Sequence, residues 1–256
     1  MGGTGEDLPG YWQWEITYSG EDRKPFRPRI EQFMINEKDK PADYTDLPPG
    51  RIGILGGTFN PIHMGHLIMA EEVCKRHHLS KVIFIPTYTP PHKYTDDLTD
   101  AGHRYQMAKE AINVNDKFEV SELEIKRKGK SYTIDTVHEI LGHYGEECEV
   151  FLIMGADSLN ELELWKDIKM LSQLCHFVIV NRPGFSTGTS SRLAELIGDD
   201  VISDIEKLRT EIEPVGISST EIRKRLKERI EIKGLVPECV EAYIKEHGLY
   251  SCLKSI

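Results

Sequence analysis

The segment Gly56-Gly57-Thr58-Phe59-Asn60-Pro61-Ile62-His63-Met64-Gly65-His66 opens on paired glycines and closes on two imidazoles three positions apart. Glycines let a backbone approach a ligand closely, and histidines add donors that can carry charge near neutral pH. Those residue types in that order suit a phosphate chain. Two histidines also suit a metal ion, but no third Cys, His or Glu accompanies them at zinc-ligand spacing. A second candidate is Ile217-Ser218-Ser219-Thr220-Glu221-Ile222-Arg223, which leads into the basic run Lys224-Arg225-Leu226-Lys227. Ser218 and Ser219 suit a helix N-cap, and Arg223 in the first turn can make a bidentate contact to a pair of phosphate oxygens. Taken alone, this segment is equally a well-capped amphipathic helix with a solvated basic face.

Other residues carry recognition chemistry of lower specificity. Pro90 and Pro91 stiffen the loop that presents His92 and Lys93. Asp157, after Gly155-Ala156, can accept hydrogen bonds from ribose hydroxyls or cap a helix over Ser158–Leu164; both roles are compatible. Trp165 can offer a flat face to an aromatic base, although an isolated tryptophan is by default a core residue.

The elements that must position these groups are legible in the pattern. Ile52-Gly53-Ile54-Leu55 reads as a buried parallel strand and Leu67 to Val73 as a helix. The glycine loop therefore joins a strand end to a helix N-terminus, where unpaired N–H groups and the helix dipole attract anions. Strands are predicted at Arg51–Leu55, Lys81–Pro86, Phe118–Glu122, Glu149–Met154 and His176–Val180. Helices are predicted near His66–His77, Ala101–Ile112, Tyr132–Leu141, Ser158–Leu164, Ser219–Glu228 and Glu238–His247. The alternation predicts an α/β fold, a Rossmann-like doubly wound parallel sheet with C-terminal helices. Phe185–Ser191 is small and polar, as in a mobile loop.

The glycine-to-histidine segment resembles the signature of nucleotidylyltransferases with the HxGH motif, and four other segments narrow the match. Pro90-Pro91-His92-Lys93, Ser131-Tyr132-Thr133-Ile134-Asp135-Thr136, Gly155-Ala156-Asp157 with Trp165, and Ile217 to Arg223 resemble elements of bacterial nicotinate-nucleotide adenylyltransferases, in that family's order, from about Arg51 to Tyr250. Position 60 is Asn where many members carry Asp, and its amide is expected to cap the same turn. The resemblance implies adenylyl transfer from ATP to nicotinate mononucleotide, with Mg²⁺ carried on ATP and no protein metal site. It implies catalytic contacts from His63, His66 and Arg223, and ATP contacts from Gly56, Gly57, Thr58, Phe59, Ser218, Ser219 and Thr220. It assigns Thr89, His92, Lys93, Tyr132, Thr133, Asp157 and Trp165 to the mononucleotide. The N–H groups at the Tyr132-Thr133 helix start suit a carboxylate better than a carboxamide, which favours nicotinate over nicotinamide. Two rivals stay open: another acceptor such as nicotinamide mononucleotide or phosphopantetheine, and a non-catalytic nucleotide-binding regulatory module.

Composition bounds the remaining classes. The 256 residues can bury one substantial core, and a net charge of −10 with a pI near 5.5 argues against non-specific nucleic-acid or membrane-surface binding. Five scattered cysteines without C-x-x-C indicate neither a disulfide framework nor zinc, so a reducing, cytoplasmic setting is expected. No stretch reaches membrane-span length, and the N-terminus lacks the pattern of a signal peptide. Residues 1–49 read as an extension to a domain at 50–256, with strand-like alternation at Tyr11–Tyr18 and a charged, proline-bearing linker over Asn36–Pro49. That extension could be a packing arm, an oligomerisation element or a remnant of a fused domain, and homo-oligomerisation is open.

Overall fold

A computed structural model describes residues 50–91, 97–145, 147–159, 161–181, 190–212 and 216–250. The expected N-terminal strand, the linker, and residues 185–189 of the expected mobile loop lie outside these. The described elements are β1 (Arg51–Gly57), α1 (Met64–Arg76), β2 (Lys81–Pro86), α2 (Ala101–Ile112), β3 (Phe118–Val120), α3 (Leu123–Arg127), α4 (Thr133–Tyr144), β4 (Glu149–Gly155) and α5 (Ala156–Leu159). They continue through α6 (Ile168–Leu174), β5 (His176–Asn181), α7 (Ser191–Ile197), α8 (Asp199–Leu208), β6 (Thr210–Glu211), α9 (Ser219–Lys227) and α10 (Glu238–Glu246).

The six strands form one sheet in the order β3-β2-β1-β4-β5-β6, and every pairing is parallel. β1 pairs with β2 on one side and β4 on the other, so the chain reverses direction across the sheet between β1 and β4. Such a switch point opens a crevice at the strand C-termini, where open α/β sheets bind ligands. Period-two alternation sends Phe151 and Ile153 into a core with α1, α2, α9 and α10, and Val150, Leu152 and Met154 into a core with α4 and α6. On α4, Ile134, Val137, Ile140 and Leu141 are buried, each stabilising by roughly 1.5–3 kcal/mol. That packing fixes where the helix start points.

Several boundaries differ from the sequence expectation. β1 continues through Gly56 and Gly57, which pair with Ile85 and Pro86. α1 begins at Met64 because His63 adopts extended backbone as its N-cap. The helix expected over Ser158–Leu164 is split into α5 and a 3-10 turn at Leu162–Leu164, after which Trp165 is extended. Asp157 therefore lies inside α5, exposed, and is not a cap; Gly155 ends the strand and the helix starts at once at Ala156. Ser190 caps α7 by accepting from Leu193 N. The short helices α3, α6 and α7, together with α8 and two-residue β6, carry no sequence expectation; packing more than local propensity sustains such pieces.

His77 ties α1 to the far sheet edge. Its Nε2 lies 2.8 Å from Thr210 Oγ1, whose own proton goes to Leu208 O, so the imidazole donates. Burial, then neighbouring Arg51, Arg76 and His78, hold the ring's pKa below its ordinary value. A histidine with a depressed folded pKa contributes stability above its unfolded pKa, about 6.5, and loses it as pH falls. The urea midpoint is expected to fall between pH 7 and pH 5 by more in the wild type than in His77→Gln; equal slopes would exclude His77 as a source.

Cys74, Cys148 and Cys175 are separate buried thiols, and burial pushes Cys148 up to about 11. Among the described residues no helix is long and apolar enough to cross a membrane.

Candidate active site

The loop after β1 is held from several directions. Phe59 takes a left-handed backbone (φ 45°) and the Asn60–Pro61 peptide is cis. The Phe59 ring is only 1% exposed and meets the His66 ring edge-on at 5.0 Å, so this side chain supports the site from beneath. A Cβ on Gly57 would approach that ring to 3.1 Å, whereas one on Gly56 would meet no atom within 4 Å. Gly57 is thus tightly packed against Phe59, and Gly56 leaves an open approach. Asn60 does not cap its own turn as expected. Its Nδ2 donates to Asp97 O at 2.9 Å, and its Oδ1 accepts from Thr99 N at 3.2 Å and Tyr250 Oη at 3.0 Å. The amide binds the loop to two distant segments, a task a carboxylate could do only in part. Burial raises the Tyr250 phenol to about 12, keeping it a donor.

His63 and His66 face one another, with ring centroids 3.7 Å apart and planes 25° from parallel. His66 Nδ1 accepts from His63 N at 3.2 Å. A neutral imidazole with that acceptor carries its proton on Nε2, so His66 presents an Nε2–H donor. The second element arrives from 158 and 163 residues away, counted along its two contacts, and lands on the same loop. Ser219 Oγ donates to Pro61 O at 2.9 Å, and Arg223 Nη1 donates to Asn60 O at 2.9 Å. Ser218 caps α9 by accepting from Glu221 N at 3.2 Å, and exposed Thr220 sits in the first turn, 3.5 Å from Arg223 Nη2. The N-termini of α1 and α9, two imidazoles and a guanidinium thus border one short stretch of chain.

Beside this lies an open cleft at the switch point, with an inner volume of about 190 Å³. Its floor is Ile54 of β1 and Leu152 to Met154 of β4, and one wall is Gly56, Gly57 and Thr58. Tyr132, Thr133 and Trp165 form another, which brings together three residues singled out from separate motifs. Tyr132 is the N-cap of α4 without a side-chain cap bond, leaving the helix start to other partners. Lys166 Nζ stands 4.9 Å over the Tyr132 ring and 3.0 Å from Asp135 Oδ1. Thr89 does not line the cleft; its carbonyl accepts from Ser131 N at 3.0 Å. His63, His66 and Arg223 do not line the cleft, and neither does Asp157, though Ser158 does. His92 and Lys93 lie outside the described residues.

Two residues went unnoticed in the sequence. Glu124, 6% exposed, lines the cleft and accepts from Thr136 Oγ1 at 2.7 Å. Burial raises its pKa, opposed by Thr136, Ser131 and Arg127. Arg104 is buried under the glycine loop and bonds to the Thr58, Tyr88 and Thr99 carbonyls. Neither sits in a recognisable motif, and only the tertiary fold makes either visible. Among the described residues no three His, Cys, Asp or Glu side chains cluster as metal ligands.

The cytidylyltransferase-like family model matches residues 54–225. A protein of Moorella thermoacetica described as a probable nicotinate-nucleotide adenylyltransferase is 46% identical over 79% of this chain and 92% of its own length. One of Desulfitobacterium hafniense with the same description is 44% identical over 80% of this chain and 98% of its own. Among solved structures, the Plasmodium falciparum nicotinic acid mononucleotide adenylyltransferase complexed with NaAD superposes with a TM-score of 0.61 at 19% identity, covering 78% of this chain and 97% of that one. That likeness bears on the fold, and the sequence relatives bear on the family. This chain belongs to the nicotinate-nucleotide adenylyltransferases, a branch of the cytidylyltransferase-like nucleotidyltransferases.

Proposed function

We infer that this chain transfers the adenylyl group of ATP to nicotinate mononucleotide, giving nicotinate adenine dinucleotide and pyrophosphate in NAD biosynthesis. The observation that carries the reading is the anchoring of Ser219 and Arg223 on Pro61 and Asn60, beside His63 and His66 and next to an aromatic-walled cleft. We assign the activity to residues 50–256. An oxygen of the mononucleotide 5′-phosphate attacks the α-phosphorus of ATP, the bond to the bridging α–β oxygen breaks, and pyrophosphate departs with that electron pair. His66 Nε2–H and Arg223 stabilise the charge that gathers on the departing phosphates, with His63 and the α9 N-terminus beside them. No protein nucleophile is needed, and positioning carries much of the rate. Divalent metal, carried as Mg²⁺ with ATP, would supply neutralisation of phosphate charge without requiring ligands from the protein.

The mononucleotide occupies the cleft, its pyridine ring against Trp165 and its carboxylate toward the free N–H groups of α4 at Tyr132 and Thr133. His92 and Lys93 are assigned to its phosphate, and Asp157 to its ribose. A second acceptor has one observation in its favour: the Glu124 carboxyl in the cleft would accept from the amide of nicotinamide mononucleotide. The acidic composition supports a cytosolic setting without a nucleic-acid partner. Pyrophosphate release from ATP with nicotinate mononucleotide, nicotinamide mononucleotide and phosphopantetheine tests the reading. The nicotinate form is expected to give the highest kcat/KM; release with phosphopantetheine alone, or with none, would overturn it.

Trp165→Ala removes a stacking face of ~1–3 kcal/mol. KM for nicotinate mononucleotide is expected to rise roughly 5- to 100-fold with KM for ATP unchanged. An effect confined to ATP would show that the ring serves the other substrate.

A further inference from the structure

Arg104 is the largest fully buried side chain among the described residues, at 1% exposure. Its hydrogen bonds go to neutral acceptors: Nε to Thr99 O at 2.8 Å, Nη1 to Thr58 O at 2.6 Å and Nη2 to Tyr88 O at 3.1 Å. The carboxylates that act on it across space are engaged elsewhere. Asp100 Oδ1 accepts from Gly102 N at 2.8 Å, and Glu124 Oε1 from Thr136 Oγ1 at 2.7 Å. A guanidinium buried against carbonyls alone is costly, and burial pulls its pKa below the ordinary arginine value. The bonds tie together the glycine loop, the segment after β2 and the entry to α2. Planarity adds a consequence. With the Thr58 carbonyl drawn toward Arg104, the N–H of the same trans peptide, that of Phe59, is directed away from the guanidinium.

We propose that Arg104 is a positioning residue for the triphosphate: it orients the Thr58–Phe59 peptide of the phosphate loop, and its buried charge finds its counter-charge in the bound polyphosphate. The proposal rests on the nucleotide reading above. A purely structural staple would support both substrates alike, whereas this role favours the polyphosphate.

Calorimetry on the full chain with ATP, with pyrophosphate and with nicotinate mononucleotide separates the two. Arg104→Met is expected to weaken ATP and pyrophosphate by at least ~10-fold while nicotinate mononucleotide changes by no more than about threefold. Arg104→Lys keeps the charge without the three-point fork and is expected to fall between wild type and Arg104→Met. Wild-type affinity for pyrophosphate in Arg104→Met overturns the proposal. So does equal weakening of both substrates, an Arg104→Lys as weak as Arg104→Met, or failure of both variants to fold. If the wild type releases no pyrophosphate from ATP, the functional reading itself fails; if it does and the variants keep their affinity, only the role of Arg104 fails.

Discussion

Replacing His66 with alanine is expected to lower kcat about 10²–10³-fold while KM for nicotinate mononucleotide stays within about threefold, the cost typical of losing one donor aimed at developing charge. The expectation follows from how the ring is held. His66 Nδ1 is occupied by the His63 N–H at 3.2 Å, one face stacks on His63 at 3.7 Å, and Phe59 meets the ring edge-on at 5.0 Å. These contacts fix the direction of the Nε2–H, and a preorganised donor needs little reorganisation as charge moves onto the leaving phosphates. Steady-state pyrophosphate release at saturating substrates reads this out. Turnover equal to wild type would remove His66 from the transition state, and a rise in mononucleotide KM alone would move the ring to the other substrate.

Arg223→Ala is expected to reduce kcat/KM for ATP by ~10²-fold, within the range of a lost charge-assisted bond to phosphate. Two contributions combine. The contact proposed between the guanidinium and the polyphosphate is removed, and the Asn60 carbonyl loses the donor that joins α9 to the glycine loop at 2.9 Å. Arg223→Lys tests the geometry, because an ammonium is a point charge and cannot span the Asn60 carbonyl and a phosphate with one rigid fork. It is expected to recover less than a tenth of the lost kcat/KM. Full recovery would mean that charge alone matters and that the fork to Asn60 is incidental.

The sequence carried the parts of this site that depend on neighbours in the chain. Gly56 to His66 states its own chemistry because a strand precedes it and a helix follows within a few residues. β-branched runs such as Val82 to Ile85 leave few options besides a buried parallel strand. Tyr132, Thr133 and Trp165 are legible one by one, but their meeting in a single cleft needs β4 to lie beside β1. Asn60 shows the limit. Its type suggests a local cap, yet its partners are Asp97, Thr99 and Tyr250. Arg104 and Glu124 are less legible still, since a buried charge within a polar helical stretch resembles a surface residue until its surroundings are assembled. The split of the helix before Trp165 was also hidden, because Ser158 to Leu164 has helix-compatible composition throughout.

The central claim is that the N-termini of α1 and α9 grip the polyphosphate of one nucleotide. A crystal structure of the full chain with a non-hydrolysable ATP analogue tests it most directly. His66 Nε2 and Arg223 are predicted within about 3.2 Å of oxygens on the same polyphosphate, with the Gly56–Thr58 backbone alongside. An analogue that seats its phosphates away from either residue, or that leaves α9 without contact, would contradict the account.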